Sequence, residues 1–421
     1  MKVSIIVIGD ELLLGQVVDT NSGDIARIIS SANWQVSHVV TIGDSENAIR
    51  KAVGTALEVS DLVITTGGLG PTKDDITKQV LMEFFGGELY FDNSVLENVI
   101  DVCSRRHIEV NELTRMQAMV PSSCEVIQNT VGTAPIMWFE KNGKVLVALP
   151  GVPFEMNEMM RKAVFPRLLK RFGNDVNIEH RYLLIFNVIE SEIAARLTQF
   201  EESLPPYLHL AYLPMQGYVT LRIDGMHADL DHLNHIMDTK QKEIEKEFGS
   251  NVIWNENRSL AEILLLLLKR NNFRLSTAES CSGGNIAHAL TLIPGSSECY
   301  EGGVVAYSNN IKVNILGVKS KSIERYGAVS LPVAEQMVEG VTARVAHTEC
   351  GIATTGIAGP GGATATKPVG TVCIAVKTPR RILVDSFHFP GSRKRVIERT
   401  TNVAIIKLIR EIKKLELEKK S

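Results

Sequence analysis

Short runs of β-branched and aliphatic residues alternate with amphipathic stretches of helical period over most of the chain. Residues 3–8 are wholly apolar except Ser4 and run into Gly9-Asp10-Glu11, which predicts a strand buried on both faces rather than a signal peptide. Further strands are expected at 34–41, 61–66 and 145–149, and helices over 21–32, 45–59, 75–85, 94–106 and 154–169. This alternation predicts a parallel α/β sheet across residues 1–170. Residues 171–253 read as a small α+β module: a strand at 182–188, a helix at 191–200, two strands broken by Met215-Gln216-Gly217-Tyr218, and a charged helix at 229–248. Residues 254–421 return to an α/β pattern, opened by a capping box of Ser259 and Glu262 ahead of the apolar run 263–268. The expected fold is therefore α/β in three domains: 1–170, 171–253 and 254–421.

Bulk properties narrow the function classes. A chain of 421 residues with 44% hydrophobic and 22% charged positions is that of a globular protein and exceeds one ordinary core. A net charge of −3 supplies no basic field, so nucleic acid is not the expected partner. The six cysteines are scattered without a CxxC pair, which disfavours structural zinc and a disulfide framework and fits a reducing cytoplasm. The apolar runs are too short for a membrane span. His227, His232 and His235 read as solvated surface rather than metal ligands.

The chemistry concentrates at strand ends. Thr277-Ala278-Glu279-Ser280-Cys281-Ser282-Gly283-Gly284 follows a strand-like run at 273–276 and precedes a helix at 285–290. Backbone N–H groups at such a helix start suit a phosphate or a developing oxyanion, and the serines and cysteine offer a nucleophile. Taken alone, the turn fits helix capping better than catalysis. Tyr307-Ser308-Asn309-Asn310-Ile311-Lys312 follows another strand, a glycine loop follows Thr354-Thr355, and Pro390-Gly391-Ser392-Arg393 precedes the last helix. No histidine has an obvious acid partner, whereas a lysine becomes a base when burial lowers its pKa, and Lys312 is the candidate by position. Cys281 reads as a small buried residue. In residues 1–170 the turns Gly9-Asp10-Glu11, Gly67-Gly68-Leu69-Gly70-Pro71-Thr72 and Pro150-Gly151-Val152-Pro153 end three strands, which predicts a crevice on one sheet edge.

The strings TAESCSGG, IPGSS, GGVVAYSN, TTGIAGPGG, KPVGTV and FPGSR are together highly specific. From Thr277 to about Ala404 the chain strongly resembles the CinA C-terminal domain, the nicotinamide-mononucleotide deamidase family. The resemblance implies hydrolysis of nicotinamide mononucleotide to nicotinic acid mononucleotide and ammonia, without a metal or other cofactor. It implies Ser280 as nucleophile, Lys312 as base and Tyr307 beside the reacting amide. Ser282, Gly283, Gly284, Ser297 and Thr354 would contact substrate, and Arg393 would face its phosphate. Ser282 replaces the family's usual threonine, and Ser392 stands where an acidic residue is common.

Residues 1–170 resemble the molybdopterin-binding-like domain of full-length CinA proteins through GDELLLGQVVDTNS, TTGGLGPTKDDIT, VGTAP and LPGVPFEM. Relatives of this type are linked to metal-dependent ADP-ribose pyrophosphatase activity. The resemblance implies a nucleotide site of Asp10, Asn21, Gly67, Gly68, Gly70, Thr72, Asp74, Asp75 and Glu155. Asp10, Asp74 and Asp75 would hold a divalent metal, although Asp74-Asp75 also reads as plain helix capping. Ile136 stands where the family has glycine and is expected to narrow this pocket, and Asn187-Val188-Ile189 replaces Gly-Ile-Gly in the middle module. The resemblance also implies a homodimer. Two alternatives stay open: a molybdopterin-handling transferase, and a binding protein acting in competence or DNA damage.

Overall fold

A computed structural model describes residues 1–32, 34–173, 177–255 and 257–418. The chain divides into two compact units, Met1–Ile178 with Met226–Leu230, and Glu179–Gly225 with Asp231–Ser421. In the first, the strands are β1 (Lys2–Ile8), β2 (Gln35–Ile42), β3 (Leu62–Thr66), β4 (Leu89–Phe91), β5 (Met119–Pro121), β6 (Glu125–Ile127), β7 (Ile136–Lys141) and β8 (Lys144–Leu149). Six of them form a sheet in the order β2-β1-β3-β8-β7-β6, while β4 and β5 pair separately.

Burial explains the central strands. Val3, Ile5 and Val7 enter one core cluster and Ile6 and Ile8 another, as the two-residue period of a strand requires. The helix Asn21–Ser30 covers the first cluster with Ile25, Ile28 and Ile29, and the helix Glu46–Val59 covers the second with Ile49, Val53 and Ala56. Three expected helices start or end one to three residues away: they run Thr77–Phe85, Asn93–Arg105 and, continued through a π turn, Pro153–Phe172.

The sheet is mixed, where a parallel one was expected. β7 and β8 pair antiparallel across Asn142 and Gly143, both in the left-handed region at φ 54° and 77°. That is the two-residue turn that joins antiparallel strands, and its Asn-Gly dipeptide stood in the sequence unread.

In the second unit, β9 (Asn177–Phe186), β10 (Leu208–Met215), β11 (Tyr218–His227) and β12 (Val252–Asn255) make a sheet ordered β10-β11-β9-β12. One face carries Leu183, Ile185, Leu221 and Ile223 under the helices Glu190–Glu202 and Leu230–Phe248. On the other, Leu184, Phe186 and Ile253 share a core with Leu264, Leu268, Ile405 and Ile409 of the C-terminal domain. Asn187 takes φ 58°, so it fills the left-handed position that glycine would otherwise supply.

The C-terminal sheet contains β13 (Leu275–Glu279), β14 (Tyr300–Val305), β15 (Cys350–Gly356), β16 (Thr371–Lys377) and β17 (Ile382–His388) in the order β14-β13-β15-β16-β17. The first three are parallel, and β16 and β17 are antiparallel additions. The helix Leu260–Asn271 begins on the expected capping box, with Ser259 Oγ accepting from Glu262 N and Glu262 Oε2 accepting from Ser259 N. Among the described residues no helix is long and apolar enough to cross a membrane.

Candidate active site

β13 runs on through Glu279, so the expected turn from Thr277 shortens to residues 280–284. Ser280 N–H donates to Thr354 O at 2.9 Å, which extends the β13–β15 ladder by one rung and fixes the nucleophile candidate at the strand's carboxyl end. Gly284, at φ 96°, then turns the chain into the helix Asn285–Thr291. Lys312 arrives from the neighbouring strand end, on the helix Asn309–Asn314, whose first turn is capped by Ser308 Oγ accepting from Ile311 N at 3.3 Å.

Ser280 and Lys312 meet. Lys312 is 1% exposed, and its Nζ lies 3.0 Å from Ser280 Oγ, 2.7 Å from Ala306 O and 3.3 Å from Tyr307 O. As an ammonium it donates to all three oxygens. As a neutral amine it keeps two N–H bonds to the carbonyls and accepts the Ser280 hydroxyl on its lone pair. Burial pushes the lysine below its ordinary pKa. The neutral form therefore fits without rearrangement.

A pocket of about 190 Å³ opens onto this pair, lined also by Tyr307, Thr355 and Arg393. Arg393 Nη2 donates to the Tyr307 hydroxyl at 2.9 Å and Nη1 to Gly359 O at 2.8 Å. The Tyr307 side chain thus joins the site through the arginine, and only its backbone carbonyl meets Lys312. Ser392 Oγ accepts from Arg395 N at 3.5 Å in the first turn of the last helix, a neutral cap that leaves Arg393 at the pocket.

Other expected residues fall elsewhere. Thr354 and Ser282 are buried and hydrogen-bond each other at 2.6 Å, behind the pocket rather than in it. Side chains alternate along β15, so Thr355 faces the pocket instead. Ser297 does not join the site. It precedes β14 at the amino end of the sheet, where Tyr300 pairs with Leu275, while Ser280 follows the carboxyl end, where Val305 pairs with Glu279. Burial pushes the Cys281 thiol up to about 12, so it is no competing nucleophile.

Glu279 was not foreseen. It is 1% exposed, and its carboxylate accepts from Gly284 N at 3.0 Å, Ile286 N at 3.0 Å and Ala287 N at 2.8 Å. The helix N-terminus expected to receive a phosphate is thus filled by the protein's own anion. The sequence signal was the acid itself, five residues ahead of an N-cap glycine that has no side chain to cap with.

The N-terminal crevice holds about 380 Å³ and is lined by Asn21, Gly67, Gly68, Gly70 and the carboxylates Glu11, Asp19, Asp44, Asp74 and Asp75, with no basic side chain. Asn21 is 6% exposed; its Nδ2 donates to Thr66 Oγ1 at 3.0 Å and Gly151 O at 2.8 Å, while Oδ1 is buried without a partner. Gly67 is at φ 111°, and a Cβ there would lie 2.1 Å from Ile8 O. Its N–H goes to Leu149 O at 3.2 Å, and Thr72 N–H goes to Asp75 Oδ2 at 2.9 Å. Those two amides are therefore unavailable to a ligand.

The proposed metal ligands do not form a cage. Asp75 also takes the Thr72 hydroxyl, and Asp10 is locked to Asp44 through N–H bonds of 3.0 and 3.2 Å in each direction. Burial raises the Asp44 pKa, and the charges of Asp10, Glu11 and Asp75 add to it. Among the described residues no group of three or more His, Cys, Asp or Glu side chains is placed to hold a metal ion. Glu155 also leaves the site: it is buried, accepts from Asn129 Nδ2 at 3.1 Å and lies 3.6 Å from Arg106. Ile136 packs in the core of β7 at 0% exposure and does not narrow the crevice.

Three family models match the chain: the probable molybdopterin binding domain over residues 4–170, the damage-inducible protein CinA KH domain over 180–253 and the CinA C-terminal domain over 257–412. A CinA-like protein of Flavobacterium psychrophilum is 37% identical over 416 residues, 98% of this chain and 99% of the relative. A CinA-like protein of Cytophaga hutchinsonii is 38% identical over 406 residues, 96% of each. A crystal structure of a competence/damage inducible protein from Agrobacterium tumefaciens is 39% identical, with TM-score 0.35, over 36% of this chain and 92% of that one.

Proposed function

The chain belongs to the CinA family, and from that premise we propose that its C-terminal pocket hydrolyses the carboxamide of nicotinamide mononucleotide to nicotinic acid mononucleotide and ammonia. The 3.0 Å contact between Lys312 Nζ and Ser280 Oγ, inside a pocket edged by Arg393, carries this reading. Ser280 Oγ attacks the carboxamide carbon, and its proton passes to the neutral Lys312 amine. The new C–O bond opens the carbonyl into an oxyanion. Collapse re-forms the C=O and breaks the C–N bond as Lys312 returns the proton to the departing nitrogen, which leaves as ammonia. Water attacks the resulting Ser280 ester, with Lys312 again carrying the proton, and the acid product is released. These steps require no metal ion.

Besides Lys312, the pocket lining includes the guanidinium of Arg393 and no carboxylate. That sign suits a mononucleotide phosphate, with Arg393 its natural partner. The test is product analysis in EDTA. Wild type yields ammonia and nicotinic acid mononucleotide in equal amounts, and Ser280→Ala yields neither. Full activity in Ser280→Ala contradicts the reading.

For the N-terminal crevice, the buried Asn21 Oδ1 without a donor favours binding of a nucleotide such as ADP-ribose through a base or ribose N–H or O–H. Five carboxylates and no cation make the crevice unfavourable for a diphosphate unless cations accompany it. Among the described residues the acids stand outside metal-ligating geometry, which favours binding over hydrolysis there.

A further inference from the structure

Most backbone donors of the turn after β13 are already bound within the protein. Ser280 N–H is bound to Thr354 O, Gly283 N–H to Ser280 O and Asn285 N–H to Ser282 O, at 2.9, 3.2 and 3.1 Å. Glu279 takes Gly284, Ile286 and Ala287. Among the described residues, only the N–H groups of Cys281 and Ser282 in this stretch have no oxygen acceptor. They directly follow the nucleophile, and Cys281 lines the pocket. A donor one residue after a nucleophile is well placed for the oxyanion that forms on the attacked carbonyl.

We propose that Glu279 is a positioning residue which, by tying residue 279 to residues 284–287, holds the Cys281 amide in place as the donor to the oxyanion. A buried carboxylate with three N–H donors is fully committed, so it ties residue 279 to residues 284–287 and closes the intervening turn into a ring. Without it, three amides lose their acceptor, and the turn that carries Cys281 loses its anchor. The carboxylate forms no hydrogen bond with Lys312 and does not line the pocket, so it acts through the backbone it holds.

This inference rests on the amidohydrolase reading, so its test has one arm that needs no nucleotide. In the first arm, kcat and KM for nicotinamide mononucleotide are compared in wild type, Glu279→Gln and Glu279→Asp. In Glu279→Gln an amide NH2 faces backbone N–H groups. The expected result is a fall in kcat on the order of 10²-fold with KM held, because a displaced donor acts on the transition state. Glu279→Asp, which keeps the charge, recovers part of the loss. In the second arm, the rate of Ser280 phosphonylation by a fluorophosphonate probe is followed by mass spectrometry, with melting temperature recorded alongside.

Slower labelling of Ser280 in Glu279→Gln at a temperature where both proteins are folded supports the proposal. A lower melting temperature with unchanged kcat and unchanged labelling overturns it, leaving Glu279 as a helix cap only. Wild type that labels at Ser280 but releases no ammonia from nicotinamide mononucleotide sinks the substrate reading instead, and the labelling rates still decide the role of Glu279.

Discussion

The two crevices of this protein share a topology and differ in sign. Each lies where parallel strands end in glycine turns, the place that open α/β sheets offer to ligands. The C-terminal pocket is lined by Lys312 and Arg393 without a carboxylate, and the N-terminal one by five carboxylates without a cation. In the first, Lys312 and Arg393 already have neutral oxygen partners at hydrogen-bond distance, and Lys312 Nζ touches Ser280 Oγ. In the second, Asp10, Asp44 and Asp75 are engaged with nearby backbone groups, and no ligand cage results. Topology chooses where a site lies; the identity and commitments of the side chains choose whether it can react or only bind.

Breaking the C-terminal side of this contrast has the largest expected effect. Ser280→Ala lowers kcat for ammonia release by roughly 10⁴-fold or more, as loss of a covalent nucleophile does elsewhere. Calorimetric titration of ADP-ribose into the same variant gives the wild-type result, because the first unit is untouched. Lys312→Ala costs about 10²- to 10⁴-fold. It also removes the alkaline rise in rate: in wild type kcat climbs with pH as Lys312 loses its proton, with a midpoint below the ordinary lysine value of 10.5. Arg393→Ala raises KM for the mononucleotide by about 10- to 100-fold and moves kcat little, matching the loss of a charged hydrogen bond to phosphate.

Three smaller effects sharpen the comparison. Asn21→Leu weakens ADP-ribose binding by about 3- to 10-fold, the value of one hydrogen bond, without changing ammonia release. Binding in wild type rises when a divalent cation is supplied and falls in EDTA, whereas the deamidation rate does not respond. Lys312→Met raises the melting temperature at neutral pH. The folded-state pKa of Lys312 lies below its unfolded value, so the unfolded chain binds the extra proton between the two. Stability therefore rises as pH increases through that window toward 10.5, and the gap between wild type and Lys312→Met closes over the same range. An unchanged melting temperature in Lys312→Met would mean that the lysine costs the fold nothing.

Much of this was legible in the sequence, for identifiable reasons. Central strands such as β1 and β8 are buried on both faces and announce themselves as apolar runs. Lys312 was the candidate by position and the family resemblance paired it with Ser280; the parallel pairing of β13 and β14 brings the two strand ends side by side. What stayed hidden depends on parity, on polarity of the sheet and on backbone accounting. Thr354 and Thr355 are adjacent and chemically alike, and only the register of β15 decides which hydroxyl faces the pocket. Ser297 belongs to a family string, yet its distance from Ser280 is set by the length of β14. Glu155 and Asp44 exchanged places because a buried carboxylate with an Asn129 partner and a crevice carboxylate look the same in one dimension. Glu279 escaped notice because its three partners are backbone amides, which no side-chain motif records.

The central claim is that Ser280 forms a covalent ester during turnover, and acid quenching followed by peptide mass mapping tests it most directly. With nicotinamide mononucleotide in EDTA, the account predicts an acyl adduct of the mononucleotide on Ser280 of the wild type. In Ser280→Ala there is no adduct and no ammonia. An adduct on Cys281, or sustained ammonia release by Ser280→Ala, would contradict it.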